Sequence, residues 1–288
     1  MLKREGKNEA VVELLRTITF VTGKCSLCDS DNTTHYFDHE LQRNELLDLN
    51  ELQLFLNHNN LRYIKHLYFI IDGACPNDYV LGLQQTICRN HLESIAKVFF
   101  VVESIGLIEE CPLLQSTIDI IVVFTAMPYR IIKGFKEYCF IVHSNEELSA
   151  AEKSVKDFNL TKYTIRPRYN GKNKPFLEDV FFSRVEDIIN DRIPKRLIHI
   201  HQTLNINYFG HLLVAPDNKV YSNPFRPPIG KLSDGVYSLV YNEMEKNYLW
   251  RKTRRSVEPC SNCIYRDLCP SPVLVEELME RICKDYLV

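Results

Sequence analysis

The sequence predicts an α/β protein: an open or partial (β/α) barrel of about six parallel strands, with a small α+β domain built on a cysteine knuckle at the C-terminus. Three observations carry that expectation. Short, continuous apolar runs recur before residue 170, as in strands buried on both faces of a parallel sheet. Helix-like segments separate these runs, which parallel connections require. After about Asp191 the composition changes to turns, a hairpin pattern, a proline-rich loop and closely spaced cysteines.

Taken in order, Val11, Val12, Leu14 and Leu15 lie on a short helical pattern, and Ile18 to Thr22 reads as the first strand. Gly23-Lys-Cys25-Ser-Leu-Cys28 leaves that strand, and Asp29 to Asp48 is polar and bears His35 and His39, as a loop does. Leu49 to Asn57 has helical spacing. Leu67 to Ile71 is a buried strand closed by Asp72-Gly73, Asp78 to Ala96 reads as one helix, and Val98 to Val102 is a strand. Gly106 to Ser116 is helical in pattern, although Pro112 weakens it. Ile118 to Phe124 and Tyr138 to Val142 are strands. Asn145 is the expected cap of a helix running to about Asp157, with Glu146 and Glu147 in its first turn, and Tyr163 to Arg166 is the sixth strand. Further on, His211–Val214 and Lys219–Tyr221 flank a turn and read as a hairpin, and Asp234 opens a helix reaching Lys246. There is no internal repeat and no low-complexity stretch. Six β-units are too few to close an eight-stranded barrel.

The chain has 288 residues, 45% hydrophobic and 25% charged, which is the composition of a soluble globular protein of one large or two modest domains. A formal charge of −2 gives no general attraction to nucleic acid or to a membrane surface. No apolar run reaches the roughly 18–20 residues of a membrane span. The first residues lack the apolar core of a signal peptide. Ten cysteines without such a signal point to the cytoplasm, with reduced thiols and a metal rather than disulfides.

The cysteines near the C-terminus are the sharpest chemical signal. Two residues separate Cys260 from Cys263 and five separate Cys263 from Cys269, so a single knuckle turns several thiolates toward one ion. That spacing suits zinc or an iron–sulfur cluster better than core filling. Cys283, after the apolar run from Val273 to Ile282, is the convenient fourth ligand. Cys25 and Cys28, with His35 and His39, form a weaker candidate metal set. Lone Cys111 and Cys139 read as buried residues. No Ser–His–Asp order, phosphate-binding glycine loop or H-E-x-x-H motif is present.

Three stretches resemble a known family. They are Ile165-Arg-Pro167-Arg-Tyr169-Asn170-Gly171-Lys-Asn173 with Phe181 and Glu186-Asp187-Ile188; Leu204-Asn205 to Phe209-Gly210 with Asp217 to Asn223 and Ile229-Gly230; and Trp250-Arg251 with Pro259-Cys260-Ser-Asn-Cys263-Ile-Tyr265 and Leu268-Cys269-Pro270-Ser-Pro272. The C-terminal third resembles the SPASM-type domain of radical SAM enzymes that mature peptides. More narrowly, the chain is similar to the pseudo-radical-SAM proteins of the Bacteroidales double-glycine peptide systems. The resemblance implies a degenerate radical SAM-like partial barrel over residues 1–192 and a SPASM-like cysteine-rich domain over 193–288. It implies a C-terminal cluster, an iron–sulfur site of the 4Fe-4S type or zinc, at Cys260, Cys263, Cys269 and Cys283. It also implies two partners: a precursor peptide with a double-glycine leader, and a radical SAM maturase.

The sequence departs from working members of that family. The reactive [4Fe–4S] cluster requires C-x3-C-x2-C after the first strand. Only Cys25 and Cys28 stand there, and the place of the first cysteine is Val21. The glycine-rich motif after the second strand is reduced to Ile71-Asp72-Gly73-Ala74, Ser222 stands where the hairpin often supplies a cysteine, and position 273 is Val273. S-adenosylmethionine is therefore not expected as a cofactor. The expected function is non-catalytic: an accessory or binding protein in the maturation of a ribosomally made peptide. Two readings compete with it. One is an active iron–sulfur peptide-modifying enzyme with an atypical cluster. The other is a zinc-stapled interaction module unrelated to peptide maturation.

Remaining polar groups have plainer readings. Arg251, Lys252, Arg254 and Arg255 read as a solvated charged turn, or else as a patch that offsets thiolate charge or grips an acidic peptide. Trp250 reads as packing beneath the knuckle. Glu186 and Asp187 read as acids at a helix N-terminus rather than as a catalytic pair.

Overall fold

The computed structural model describes residues 13–23, 46–58, 61–71, 75–102, 118–128, 130–132, 134–180, 185–223, 226–273 and 276. Cys25, Cys28, His35, His39, Cys111 and Cys283 lie outside them, as does the helix expected from Gly106 to Ser116.

Nine strands form one sheet: β1 (Thr17–Val21), β2 (His66–Ile71), β3 (Lys97–Val102), β4 (Asp119–Phe124), β5 (Glu137–Val142), β6 (Tyr163–Pro167), β7 (His211–Val214), β8 (Lys219–Tyr221) and β9 (Gly230–Lys231). Their order is β6-β5-β4-β3-β2-β1-β7-β8-β9. β1 to β6 run parallel in chain order, as the apolar runs predict. β7 pairs parallel with the free side of β1, in the register Thr17↔His211 and Phe20↔Val214. The hairpin turns at Ala215–Asn218, sets Val214 opposite Val220, and continues antiparallel into β9. The sheet thus runs without a break across residue 193.

The helices are α1 (Leu49–His58), α2 (Asn77–Arg89), α3 (Leu92–Ile95), α4 (Asn145–Asp157), α5 (Lys174–Val180), α6 (Val185–Asn190), α7 (Lys195–Thr203) and α8 (Gly235–Asn242). Three sequence expectations change in detail. The helix expected from Asp78 to Ala96 breaks in two, because Asn90 takes the Thr86 carbonyl with its side chain, exchanges hydrogen bonds with Gln53 of α1, and is followed by His91 at φ 50°. The cap of α4 is Ser144, one residue before Asn145, and its hydroxyl accepts from the Glu147 N–H. The helix opened near Asp234 stays α-helical only to Asn242 and widens into a π-turn over Glu243–Asn247. There the buried Glu243 carboxylate turns back to accept the Trp250 N–H at 2.9 Å.

Alternation along each strand divides the apolar residues into two cores. On the outer face, Ile18, Phe20, Leu67, Phe69, Phe100, Phe140 and Val142 pack against the helices. Phe20 stacks on Phe69 at 4.9 Å, and Phe69 meets Phe100 edge-on at 6.0 Å. Full burial of such rings contributes on the order of 2–3 kcal/mol each. On the inner face, Val21, Ile70, Val101, Val123, Cys139, Ile141, Leu213, Ala215 and Tyr221 form a second, smaller cluster.

His211 opens β7 on the inner face, level with Thr17 and His66. Burial first, and the charge of His66 second, push its pKa down from 6.5 to about 4. The folded chain therefore holds His211 neutral, while the unfolded chain protonates it below about pH 6.5. Stability is full above that pH and falls as pH drops toward 4, by a total of about 3 kcal/mol from this group. Urea unfolding at pH 7.5 and at pH 4.5 should show that loss, and His211→Gln should flatten it. An equal loss in the variant would remove His211 as its source.

Candidate functional site

The C-terminal cysteines sit on a chain of short turns that the sequence sets up locally. Pro259 precedes a 3₁₀ turn over Cys260–Asn262, closed by the Cys263 N–H on the Cys260 carbonyl at 3.0 Å. A second turn brings the Leu268 and Cys269 N–H groups onto the Tyr265 carbonyl at 2.9 and 3.1 Å. Cys260, Cys263 and Cys269 are reduced cysteines of intermediate exposure. Ile264, between them, is 83% exposed. The donor chemistry of these thiols suits zinc or an iron–sulfur cluster. Among the described residues, however, no three Cys, His, Asp or Glu side chains already converge as an ion's ligands. Cys283, the expected fourth ligand, lies outside the described residues.

What anchors this segment is a buried ion pair. Arg254 is 6% exposed, and its guanidinium grips the Glu276 carboxylate with two N–H groups, one of them at 2.6 Å. Its Nε donates to the Pro270 carbonyl at 2.8 Å, and Nη1 lies 3.8 Å from Cys260 Sγ. Burial alone would lower its pKa. The hydrogen bond and charge of Glu276, with the sulfurs of Cys260 and Cys269, raise it instead. Arg254 is thus neither a solvated turn residue nor available to grip a peptide. It is a fixed positive charge beside two of the candidate thiolates.

The other basic residues of that stretch are also engaged. Arg255 forms a two-pronged pair with Asp267 at 2.9 and 2.7 Å. That bond, against burial, holds the Asp267 carboxyl below its usual range. Arg251 covers the Tyr248 ring at 4.8 Å and donates to the Met244 carbonyl. Trp250 is fully buried, as expected. It packs edge-on against Phe209 at 5.5 Å, and its indole N–H donates to the His211 carbonyl at 3.2 Å, so it supports β7. Glu186 and Asp187 fall in the first turn of α6, as the sequence indicates.

Two residues at this site have contacts that the sequence does not reveal. Asn205 is fully buried, and its side-chain amide donates to the Lys252 and Pro272 carbonyls at 3.0 and 2.9 Å, while its Oδ1 accepts the Asn207 N–H. Asn207 in turn donates to the Ser271 carbonyl, and the Ser271 hydroxyl accepts the Ile206 N–H. This network fastens the end of α7 to the segment after the knuckle. His201 of α7 is 4% exposed. Its Nδ1 lies 3.2 Å from the Asp267 carbonyl and its Nε2 is buried without a hydrogen-bond partner. One asparagine and one histidine in a polar stretch give no pattern to read.

At the other candidate locus, β1 ends at Val21, and Thr22 bonds the Ile70 carbonyl at 2.7 Å and faces Cys75 Sγ at 3.6 Å. The sheet's inner face near these strand ends presents Val21, Ile70, Val101, Val123 and Ile141. Cys139, in the same cluster, has its thiol pushed up to about 11 by burial, so it is neutral at pH 7. Toward β6 the face turns polar, where Thr164 donates to Glu137 and Arg166 stands level with Ile141.

No protein family's sequence profile matches the chain, and no curated protein matches it. Solved structures do. The chain is similar to hexahistidine-tagged anSMEcpe with bound AdoMet (TM-score 0.53, 14% identity, 88% of each chain covered). It is also similar to native anSMEcpe with bound AdoMet and Cp18Cys peptide (TM-score 0.52, 16% identity, 88% of each chain covered). At that identity the likeness is one of fold: the α/β chain matches a radical SAM-like partial barrel over most of its length.

The buried and exposed ion pairs of this segment should differ sharply in weight. Glu276→Gln leaves the Arg254 charge buried without its counter-ion and should cost about 3 kcal/mol or more. Arg255→Ala removes an exposed pair and should cost at most about 1 kcal/mol. Urea midpoints of the two variants measure the contrast, and equal midpoints would contradict the anchoring role of Arg254.

Proposed function

We propose that the chain is a non-catalytic binding protein of a peptide-maturation system, built on a radical SAM-like frame. The observation that carries this reading is the inner face of the sheet. Along β2 to β5 that face is apolar: Tyr68 and Ile121 stand part-exposed on a buried layer of valine, isoleucine and a neutral Cys139 thiol, and toward β6 it carries charged groups. A floor of that kind suits extended apolar side chains of a bound segment, and Arg166 and Glu137 at its side supply orientation. The solved structure of similar fold that holds both AdoMet and a peptide supports the peptide half of the reading. The two cysteines left after β1 and the apolar floor speak against the AdoMet half. The proposed partners are a precursor peptide with a double-glycine leader and a radical SAM maturase.

The C-terminal cysteines belong to the same proposal as a structural centre. Cys260, Cys263 and Cys269, with Cys283, would hold a zinc ion or an iron–sulfur cluster. Its charge would be offset by Arg254, and it would fix the turns that β7 to β9 and α8 lead into. A metal in such a position supplies folding energy rather than chemistry.

Isothermal titration of the purified protein with the precursor peptide, and separately with the maturase, tests the proposal. Binding at micromolar Kd to at least one is expected, with Tyr68→Glu or Ile121→Glu, the part-exposed positions of the floor, weakening the peptide interaction at least about tenfold. Absence of binding to both partners at about 100 µM would sink the reading.

A further inference from the structure

The opposite end of the sheet holds a site that peptide maturation does not account for. A cavity of about 720 Å³ opens at the N-terminal ends of the central strands. Arg16 enters it from just before β1, Arg62, Tyr63, Lys65 and His66 from the start of β2, and Lys97 from the start of β3. The backbone that carries these groups is fixed. The Arg16 carbonyl accepts the Lys65 and His66 N–H groups at 2.7 and 3.2 Å, and the Lys65 carbonyl accepts the Lys97 N–H at 2.9 Å.

Four permanent cations therefore line one concavity of a chain whose net charge is −2. Asp119 is the acid among the lining residues, and Lys136 already pairs with it at 3.0 Å. Glu13, nearby, hydrogen-bonds the Tyr63 hydroxyl. Burial first, then the charges of Lys97 and Lys65, hold His66 below its usual pKa, so both lysines act on the same point. Gathering like charges costs free energy that an anion would recover. The volume exceeds that of a bare inorganic anion and falls within the ~300–1,000 Å³ of small-molecule sites. Ile64, Ile95 and Val98 supply apolar wall for an organic body beside the charge.

We propose that this cavity binds a small phosphorylated metabolite, with Arg16, Lys65 and Lys97 on the phosphate oxygens and the apolar wall against its organic part. Phosphate is favoured over a single carboxylate because a doubly charged, many-oxygen group can engage an arginine and two lysines together. The site stands at the far end of β1 from Val21, where that strand ends.

The test is calorimetric titration of the full-length protein with inorganic pyrophosphate, with adenosine diphosphate and with a triglutamate peptide, at constant ionic strength. Saturable binding of both phosphate compounds at Kd below about 1 mM is expected. Lys65→Ala/Lys97→Ala, two exposed positions, should weaken it at least about tenfold. Lys153→Ala/Lys156→Ala on α4, with the same loss of charge, should leave it unchanged. No saturation with either phosphate compound, equal weakening by both double variants, or tighter binding of the triglutamate peptide would each overturn the proposal.

Discussion

The close approach of Gly210 to the chain entering β1 decides where the last third of the protein sits. The Gly210 carbonyl accepts the N–H groups of both Arg16 and Thr17, at 2.8 and 2.9 Å. Its φ is +76°, and a Cβ there would stand 2.8 Å from the Leu14 carbonyl. Only glycine meets both demands. With Gly210 in place, His211 falls opposite Thr17, and β7 can lie parallel to β1. Every further element of the C-terminal third is aligned from there: the hairpin on β7, Trp250 beneath the His211 carbonyl, Asn205 between Lys252 and Pro272, and Arg254 on Glu276. The cysteine turns are thus suspended from the barrel by polar contacts that are individually modest and jointly specific.

The sheet provides a rigid platform, stiffened by the aromatic packing of its outer face. The ends of its strands, where open α/β folds place their ligands, are lined on the inner side by branched apolar residues. On the proposed reading such a face would position a bound chain. Cys139, the cysteine of that cluster, is held as a thiol by its own burial. The basic cavity lies at the other end of the strands, so an anion there and a peptide on the floor would occupy the protein together.

Much of the fold is legible in the sequence because parallel strands buried on both faces are unbroken apolar runs. Leu67 to Ile71, Val98 to Val102 and Tyr138 to Val142 each match an observed strand to within a residue. The hairpin is legible for the same reason, with the Ala-Pro-Asp-Asn turn between two apolar runs. The parallel pairing of β7 with β1 is not legible, since it depends on the Gly210 contact between residues far apart in the chain. Nor are α5 and α7, whose amphipathic patterns are short. Of the candidate site, the knuckle turn of Cys260 and Cys263 follows from its spacing. The role of Arg254 does not. In sequence it is one of four neighbouring basic residues, and only the position of Glu276 in the fold distinguishes it from Arg255.

The central proposal is that this radical SAM-like frame binds and does not perform radical SAM chemistry. Its most direct test is anaerobic reconstitution with iron and sulfide, followed by S-adenosylmethionine and a strong reductant, with 5′-deoxyadenosine quantified over time. No product above a protein-free control is expected. Formation of 5′-deoxyadenosine that Cys25→Ala abolishes would contradict the claim.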